Sequence, residues 1–372
     1  MDPQTVFCHN LDCPARGQVG KGNIGVHSQK ERRYICHECN TTFAESKGTV
    51  FYRLRKSKEV ITLVVTLLAY GCPVQAIVVA FGFDERTVMS WQERAGAHCE
   101  KVHAHMVEQP QDLGQVQGDE IRVKIQGAIV WMAMAIQVST RLWLGGEIST
   151  SRDTALITAL MQKVRACALC RPLLFCMDGC QAYIGAIRAV FREAIWTGKV
   201  GRPHLRPWDG ILMAQVVKQY ARKRVVDVQR RVVQGTVAQV KALVQQTQGG
   251  GTINTAYIER LNATFRARIF ALVRRGRALA RQMPTLHTSM YLVGTVYNFC
   301  TDHGSLRVAI SLPHGRRRWV SRTPAMAASL TDHRWTVEEL LSFRVPLPLW
   351  TPPKRRGRPS KATKALVERW CT

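Results

Sequence analysis

The sequence predicts a multidomain α/β protein: a mixed sheet with flanking helices, preceded by a small metal-stapled module and a three-helix module. Three observations predict it. Residues 1–52 are rich in Cys, Gly and basic residues and poor in periodic apolar runs, so they need a staple to fold. Residues 56–106 carry short apolar runs at helical spacing. Residues 117–305 hold strand-like runs and then helices, after which the chain turns loop-like and basic.

In chain order, Cys8-x4-Cys13 and Cys36-x2-Cys39 are two close pairs on either side of residues 14–35. Two thiolates on each of two turns can make a tetrahedral site for one Zn²⁺, with His9 or His37 as an alternative ligand. YICHEC has the shape of a zinc-ribbon knuckle, which makes residues 1–55 a zinc ribbon. Four protein ligands leave no open position, so that zinc is structural. Cys167-x2-Cys170 and Cys176-x3-Cys180 read instead as buried thiols around a strand. Residues 58–70, 74–81 and 84–95 read as three short helices, the last two joined through Gly82, in the outline of a helix-turn-helix module over 56–106. Asp84 caps the third helix, and Arg86, Thr87, Ser90 and Trp91 are expected to face outward as DNA readers in the major groove. A three-helix domain for subunit contact has the same outline.

In residues 119–125, Ile121, Val123 and Ile125 alternate with Arg122 and Lys124, a half-buried strand with Asp119 at its head. The same alternation sends Glu120 to the face of Arg122. Gly127 breaks this strand, AIVWMAMAIQV is a second, Thr140-Arg141 is a tight turn and LWLGGEI is a third, together an antiparallel meander. A helix over 152–166 leads to PLLFCMDG, a continuous apolar run ending at Asp178, as a buried parallel strand does. A helix over 181–194 follows. The order β-β-β-α-β-α fits an RNase H-like α/β sheet over 117–305. Residues 208–248 read as a long basic helix with Val-rich faces, closed by Gly249-Gly250-Gly251, within a helical insertion over about 200–251 that binds DNA, binds a second subunit or is packed scaffold. NTAYIERLNATFRARI reads as a helix, with Asn262 and Arg266 at i+3 and i+7 from Glu259, expected to point at DNA. The basic extension 306–372 contains KRRGRP; its Arg356-Gly357-Arg358 core resembles an AT-hook lying in an AT-rich minor groove, and a solvated basic tail reads equally well.

Composition narrows the function. The 372 residues carry 53 Lys and Arg against 26 Asp and Glu, a formal charge of +27, and nucleic acid is the usual polyanion that offsets such self-repulsion. The N-terminus has no apolar signal core, and the longest apolar run, 60–69, is too short to span a bilayer. A cytoplasmic, nucleoid-associated protein without membrane contact is expected, its twelve cysteines thiols or metal ligands. Phosphodiester transfer needs an in-line nucleophile and neutralised phosphate charge, which two Mg²⁺ ions about 3.5–4 Å apart supply, with Mn²⁺ as a substitute. Adjacent strands lie about 4.8 Å apart, so Asp119 and Asp178 can share a metal, and Glu259 on a packed helix can complete the second site.

VQGDEIRVK, WMAMAIQVSTRLWLGG, LLFCMDGCQAY, YIERLNATFRARI, YNFCTDHGSLR and RTPAMAASLTDHRWTVEELL resemble bacterial insertion-sequence transposases of the zinc-ribbon, DDE class, over most of the chain to about Leu341. The resemblance implies that Asp119, Asp178 and Glu259 bind the catalytic metals and that Asn262 is the Asn following the family's Glu-Arg. The separation of Asp178 from Glu259 is longer than many relatives use. The expectation is a DNA transposase that cleaves insertion-element ends and transfers strands to target double-stranded DNA, as at least a dimer because two ends are joined. The alternatives are a non-catalytic DNA-binding regulator derived from a transposase, and an RNase H-fold DNA nuclease.

Overall fold

The computed structural model describes residues 1–196, 198, 201–222, 224–273, 282–311, 317–352 and 360–371; the AT-hook-like Arg356, Gly357 and Arg358 lie outside them. The chain forms two compact units, Met1–Lys58 with Leu341–Thr372, and Glu59–Leu340.

In the first unit, β1 (Ile24–Ser28), β2 (Arg33–Cys36) and β3 (Thr42–Ala44) form an antiparallel sheet in that order. Its core is small: Val6, Ile24, Tyr34 and Phe43 around Cys8, Cys13, Cys36 and Cys39. The end of the chain joins this unit. The Val50 amide donates to the Leu341 carbonyl (3.1 Å), Arg344 donates to the Glu45 carbonyl (2.7 Å), and Trp370 of the terminal helix Lys361–Trp370 packs on the core.

The second unit opens with α1 (Lys58–Ala69), α2 (Val74–Phe81) and α3 (Glu85–Met106). Gly82 closes α2 in the left-handed region, and the Asp84 carboxylate caps α3 by accepting from the Arg86 amide (2.9 Å). The expected stop at Ala95 is corrected: α3 runs on to Met106, and Gly96 is a packing residue rather than a terminator. A Cβ there would lie 2.3 Å from the Thr288 carbonyl oxygen, so glycine lets α3 press against α8 (Met283–Cys300).

The central sheet comprises β4 (Gln115–Ile125), β5 (Ala128–Gln137), β6 (Trp143–Ser149) and, after α4 (Thr154–Ala166), β7 (Leu173–Asp178). α5 (Gln181–Val190) and a small hairpin of β8 (Arg192–Ile195) and β9 (His204–Pro207) follow, then β10 (Ile211–Ala221) and β11 (Arg224–Gln234). The order is β11-β10-β7-β4-β5-β6, a mixed six-stranded sheet; β4, β5 and β6 are an antiparallel meander, and β7 lies parallel to both β4 and β10. α6 (Val237–Gln248) and α7 (Ala256–Arg268) follow, and after α8 the strands β12 (His303–Ser311) and β13 (Arg317–Arg322) pair antiparallel.

Two expectations fail here. Residues 208–248 are not one helix but β10, β11 and α6. The adjacent β-branched pairs Val216-Val217, Val225-Val226 and Val232-Val233 favour extended backbone, and β10 gains a parallel partner in β7 that pattern alone did not reveal. Asp119 is not at the head of its strand either, since β4 begins at Gln115. Gln115 and Gln117 are polar yet fully buried, so their side chains interrupted the apolar alternation.

Candidate functional site

Gln117 explains how the site is positioned. Its Oε1 accepts from the Tyr257 and Ile258 amides (3.1 and 3.0 Å), and its Nε2 donates to the Asn254 carbonyl (2.7 Å). The first amides of a helix lack intrahelical partners. Thr255, at the N-cap, offers no side-chain cap, so a residue two places before Asp119 pins the start of α7. Glu259, in the first turn, is thereby held over the sheet.

Asp119, Asp178 and Glu259 line one cavity of about 430 Å³, with Arg152, Cys180 and Lys218. Asp119 accepts from the Glu120 amide through Oδ1 and from Asn262 Nδ2 through Oδ2 (both 2.8 Å). Asp178 accepts from the Cys180 amide (2.9 Å) and from Arg152 (3.4 Å). Glu259 accepts from Lys218 Nζ (2.6 Å) and the Thr255 hydroxyl (3.0 Å). Burial pushes the Asp119 carboxyl above the ordinary carboxylate range, and the negative charges of Asp178 and Glu259 add to it, against the Glu120 amide and Arg266.

Glu120 corrects the alternation argument. Its backbone does belong to the other face: a Cβ on its neighbour Gly118 would lie 3.1 Å from the ring of Tyr183. Its carboxylate nevertheless curls back, so that one oxygen each from Asp119, Glu120 and Asp178 lie within 4.8 Å of one another. Arg152 joins them, donating to Glu120 Oε2 (3.1 Å) as well as to Asp178 while its guanidinium lies 5.3 Å from the Trp131 ring centroid. Burial raises the Glu120 carboxyl too, with Asp178 and Asp119 adding and Arg152 opposing, and its buried Oε1 meets the geometry of no hydrogen bond among the described residues. Glu259 stands outside this tightest group, drawn toward Lys218. Crowded carboxylates with a raised proton affinity and an unsatisfied buried oxygen fit a hard divalent cation such as Mg²⁺.

Cys8, Cys13, Cys36 and Cys39 are all buried, and their sulfurs lie within 4.8 Å of one another. Cys8 and Cys39 are 3.6 Å apart, Cys13 and Cys36 3.9 Å. A tetrahedron built on Zn–S bonds of about 2.3 Å has edges of about 3.8 Å. The Asn10 amide (3.4 Å) and Asn23 Nδ2 (3.2 Å) donate to Cys8 and Cys36, as they would to thiolates. Burial pushes the Cys8 and Cys13 thiols up, while against its own burial Cys39 is held down by hydrogen bonds from Thr41 and Asn10; a cation would favour the thiolate at all of them. This four-cysteine group can bind zinc, and neither His9 nor His37 belongs to it.

The remaining expected residues divide. Arg86 and Ser90 are exposed on α3 and Thr87 is half-buried, whereas Trp91, expected outside, is 4% exposed and meets Phe83 edge-on. It is a core ring, because its i, i+4 partner Ala95 is buried on the same face. Asn262, expected to point at DNA, is 1% exposed and spent on Asp119. Arg266 is half-buried near Asp119. Glu120, Gln117, Arg152 and Lys218 were missed; the buried polar run QVQGDE was the one signal that could have found the first two. No described helix is long and apolar enough to cross a membrane.

No protein-family model and no curated protein matches the chain. Among solved structures, it is similar to a chain of a simian T-cell lymphotropic virus intasome in complex with the PP2A regulatory subunit B56 gamma, at 12% identity over 81% of this chain and 80% of that chain, with a TM-score of 0.26. A superposition that loose decides nothing about chemistry.

Proposed function

We propose that the protein is a DNA transposase of the DDE class, resembling those of bacterial insertion sequences, which cleaves element ends and joins them to target DNA. The observation that carries the reading is one cavity receiving Asp119 from a central strand, Asp178 from the end of its parallel neighbour and Glu259 from a packed helix. The meander followed by parallel strands supports an RNase H-like catalytic domain over about 117–305, and the four-cysteine group supports a zinc ribbon over 1–55 with one structural Zn²⁺. The charge of +27 and the exposed Arg86 and Ser90 on α3 support double-stranded DNA as partner and a helix-turn-helix over 56–106. Two ends to be joined imply at least a dimer, and a nucleoid-associated, cytoplasmic setting follows from the substrate.

Asp119, Asp178 and Glu259 would hold the two Mg²⁺ ions, which when bound supply Lewis-acid neutralisation of phosphate charge; Mn²⁺ can stand in. The chain's own residues do the positioning. Asn262 fixes Asp119, Gln117 fixes the start of α7, and Arg152 and Lys218 put positive charge on the cavity wall, where a scissile phosphate would sit. Cleavage adds water to the phosphorus and releases a 3′-hydroxyl and a 5′-phosphate. Joining then exchanges one P–O bond for another as that hydroxyl attacks target DNA.

The test incubates labelled terminal segments of the flanking DNA with protein, Mg²⁺ and a plasmid, beside Asp178→Asn. Joined product from the unmodified protein alone is expected. Cleavage without joining would leave a nuclease, and binding with neither would leave a DNA-binding regulator.

A further inference from the structure

The outer face of α7 borders a second cavity, of about 500 Å³, that the acid site does not use. Along α7, Glu259, Asn262 and Arg266 follow one stripe, while Tyr257, Arg260, Thr264 and Arg268 follow another, at helical spacing, into this second cavity. Arg141, from the β5–β6 turn, enters from the opposite wall. None of Arg141, Arg260 and Arg268 pairs with a carboxylate among the described residues, and Asp302, the acid on the wall, is already taken by Arg334 (3.0 Å). Three cations thus converge without a counterion.

Arg141 is held there against its own preferences. Its φ is 61°, in the left-handed region that a residue with a Cβ rarely adopts. Tyr297 clamps the turn by donating from its hydroxyl to the Arg141 carbonyl (3.1 Å). The guanidinium lies 3.9 Å from the Tyr257 ring centroid, and its buried Nη1 has no hydrogen-bond partner among the described residues. Arg268 is likewise oriented, donating to the Thr301 hydroxyl (3.1 Å) with its guanidinium 4.5 Å from the Tyr70 ring centroid. His303 reports the field: burial lowers its pKa, and Arg141 and Arg260 lower it further. Preoriented guanidiniums match the oxygens of a phosphate.

We propose that Arg141, Arg260 and Arg268 form a binding site for backbone phosphates of a nucleic-acid strand, separate from the acid cavity and divided from it by α7. The cavity is larger than one phosphate needs and open at the exposed Arg260, which favours a strand over a free ion. The site deepens the DNA reading and rests on it for its ligand.

The experiment measures the affinity of a labelled DNA duplex against salt for the full chain and for Arg260→Gln, with Arg141→Lys, which keeps the charge but loses the fork, as a second variant. Mg²⁺-dependent cleavage of the same duplex by the unmodified protein is assayed in parallel. Arg260 is exposed, so its variant should keep the melting temperature. The slope of log affinity against log salt should fall in magnitude by about one for Arg260→Gln. Arg141→Lys should keep that slope and lose affinity, and excess inorganic phosphate should not abolish the difference. An unchanged slope and affinity in both variants overturns the site, whether or not cleavage is seen. A changed slope with no cleavage upholds the site and sinks the transposase reading. A difference that inorganic phosphate erases at constant ionic strength would make it a free-phosphate site and overturn the strand.

Discussion

The two metal-suited clusters are opposites in construction. The cysteine group is closed: four soft ligands, all buried, spaced like a finished tetrahedron, with backbone and Asn N–H groups already aimed at the sulfurs. The acid group is open: of its hard oxygen ligands, the half-buried Asp119 and Asp178 line a cavity whose wall carries Arg152 and Lys218. A site complete in itself can only hold structure together, whereas a site with room left over can admit a substrate. What separates scaffold from chemistry here is the unfilled space rather than the number of ligands.

Stripping zinc tests that contrast most severely. Structural zinc sites contribute about 10–16 kcal/mol of apparent binding energy. A chelator, or Cys36→Ser, should unfold the first unit, seen as rapid proteolysis within 1–58 and release of one zinc per chain. Chelation that left those cleavage rates unchanged would remove the structural role.

The second test concerns which acids would hold a catalytic cation under the proposed function. Glu259→Gln should lower Mg²⁺-dependent cleavage by roughly a thousandfold, equivalent to about 4 kcal/mol, because a carboxamide cannot neutralise metal charge. Glu120→Gln should cost about tenfold or less, because Glu120 does not line the cavity that Asp119, Asp178 and Glu259 share. The reverse order would transfer the third ligand's role to Glu120. Next in size, Gln117→Leu leaves the Tyr257 and Ile258 amides without their acceptor, a loss of about 1–3 kcal/mol in denaturant unfolding, with Mn²⁺ affinity falling as Glu259 drifts.

The smallest effect is electrostatic. Asp119 and Glu120 have raised folded-state proton affinities, so the native state binds more protons than the unfolded one above the ordinary carboxylate range. Stability of metal-free protein should therefore fall as pH rises through their raised values, and be fully recovered below the ordinary range. Asp119→Asn should flatten that slope and raise the metal-free melting temperature by a few degrees at most, on the order of 1 kcal/mol. Saturating Mg²⁺ should abolish the slope in the unmodified protein. A melting temperature that climbed with pH in this window would contradict the crowding of these acids.

Much of this was legible in the sequence, and what was not has physical causes. The meander, the β7 run ending at Asp178 and the α7 helix follow from periodicity, because each is governed by local apolar spacing. The β10–β11 hairpin reads as a helix from local pattern because its stability comes from pairing with β7, a neighbour far along the chain. Strand alternation places Glu120 on the other face, but it fixes the direction of Cβ and not the reach of a flexible side chain to Arg152. The place of Trp91 near a helix start points it outward, while its contact with Phe83 depends on the turn before α3.

The contact between Lys218 and Glu259 has one more consequence. It is a partly exposed pair, of the kind worth about 1 kcal/mol or less, so it is easily exchanged for better partners. Under the proposed function, a cation at Glu259 would compete with Lys218 for the carboxylate, and a phosphate at Lys218 would compete with Glu259 for the ammonium. The pair would thus partly quench the empty cavity, and both guests would draw on the same internal bond. By reciprocity each would then tighten the other by the same factor, about fivefold at most for a pair worth about 1 kcal/mol.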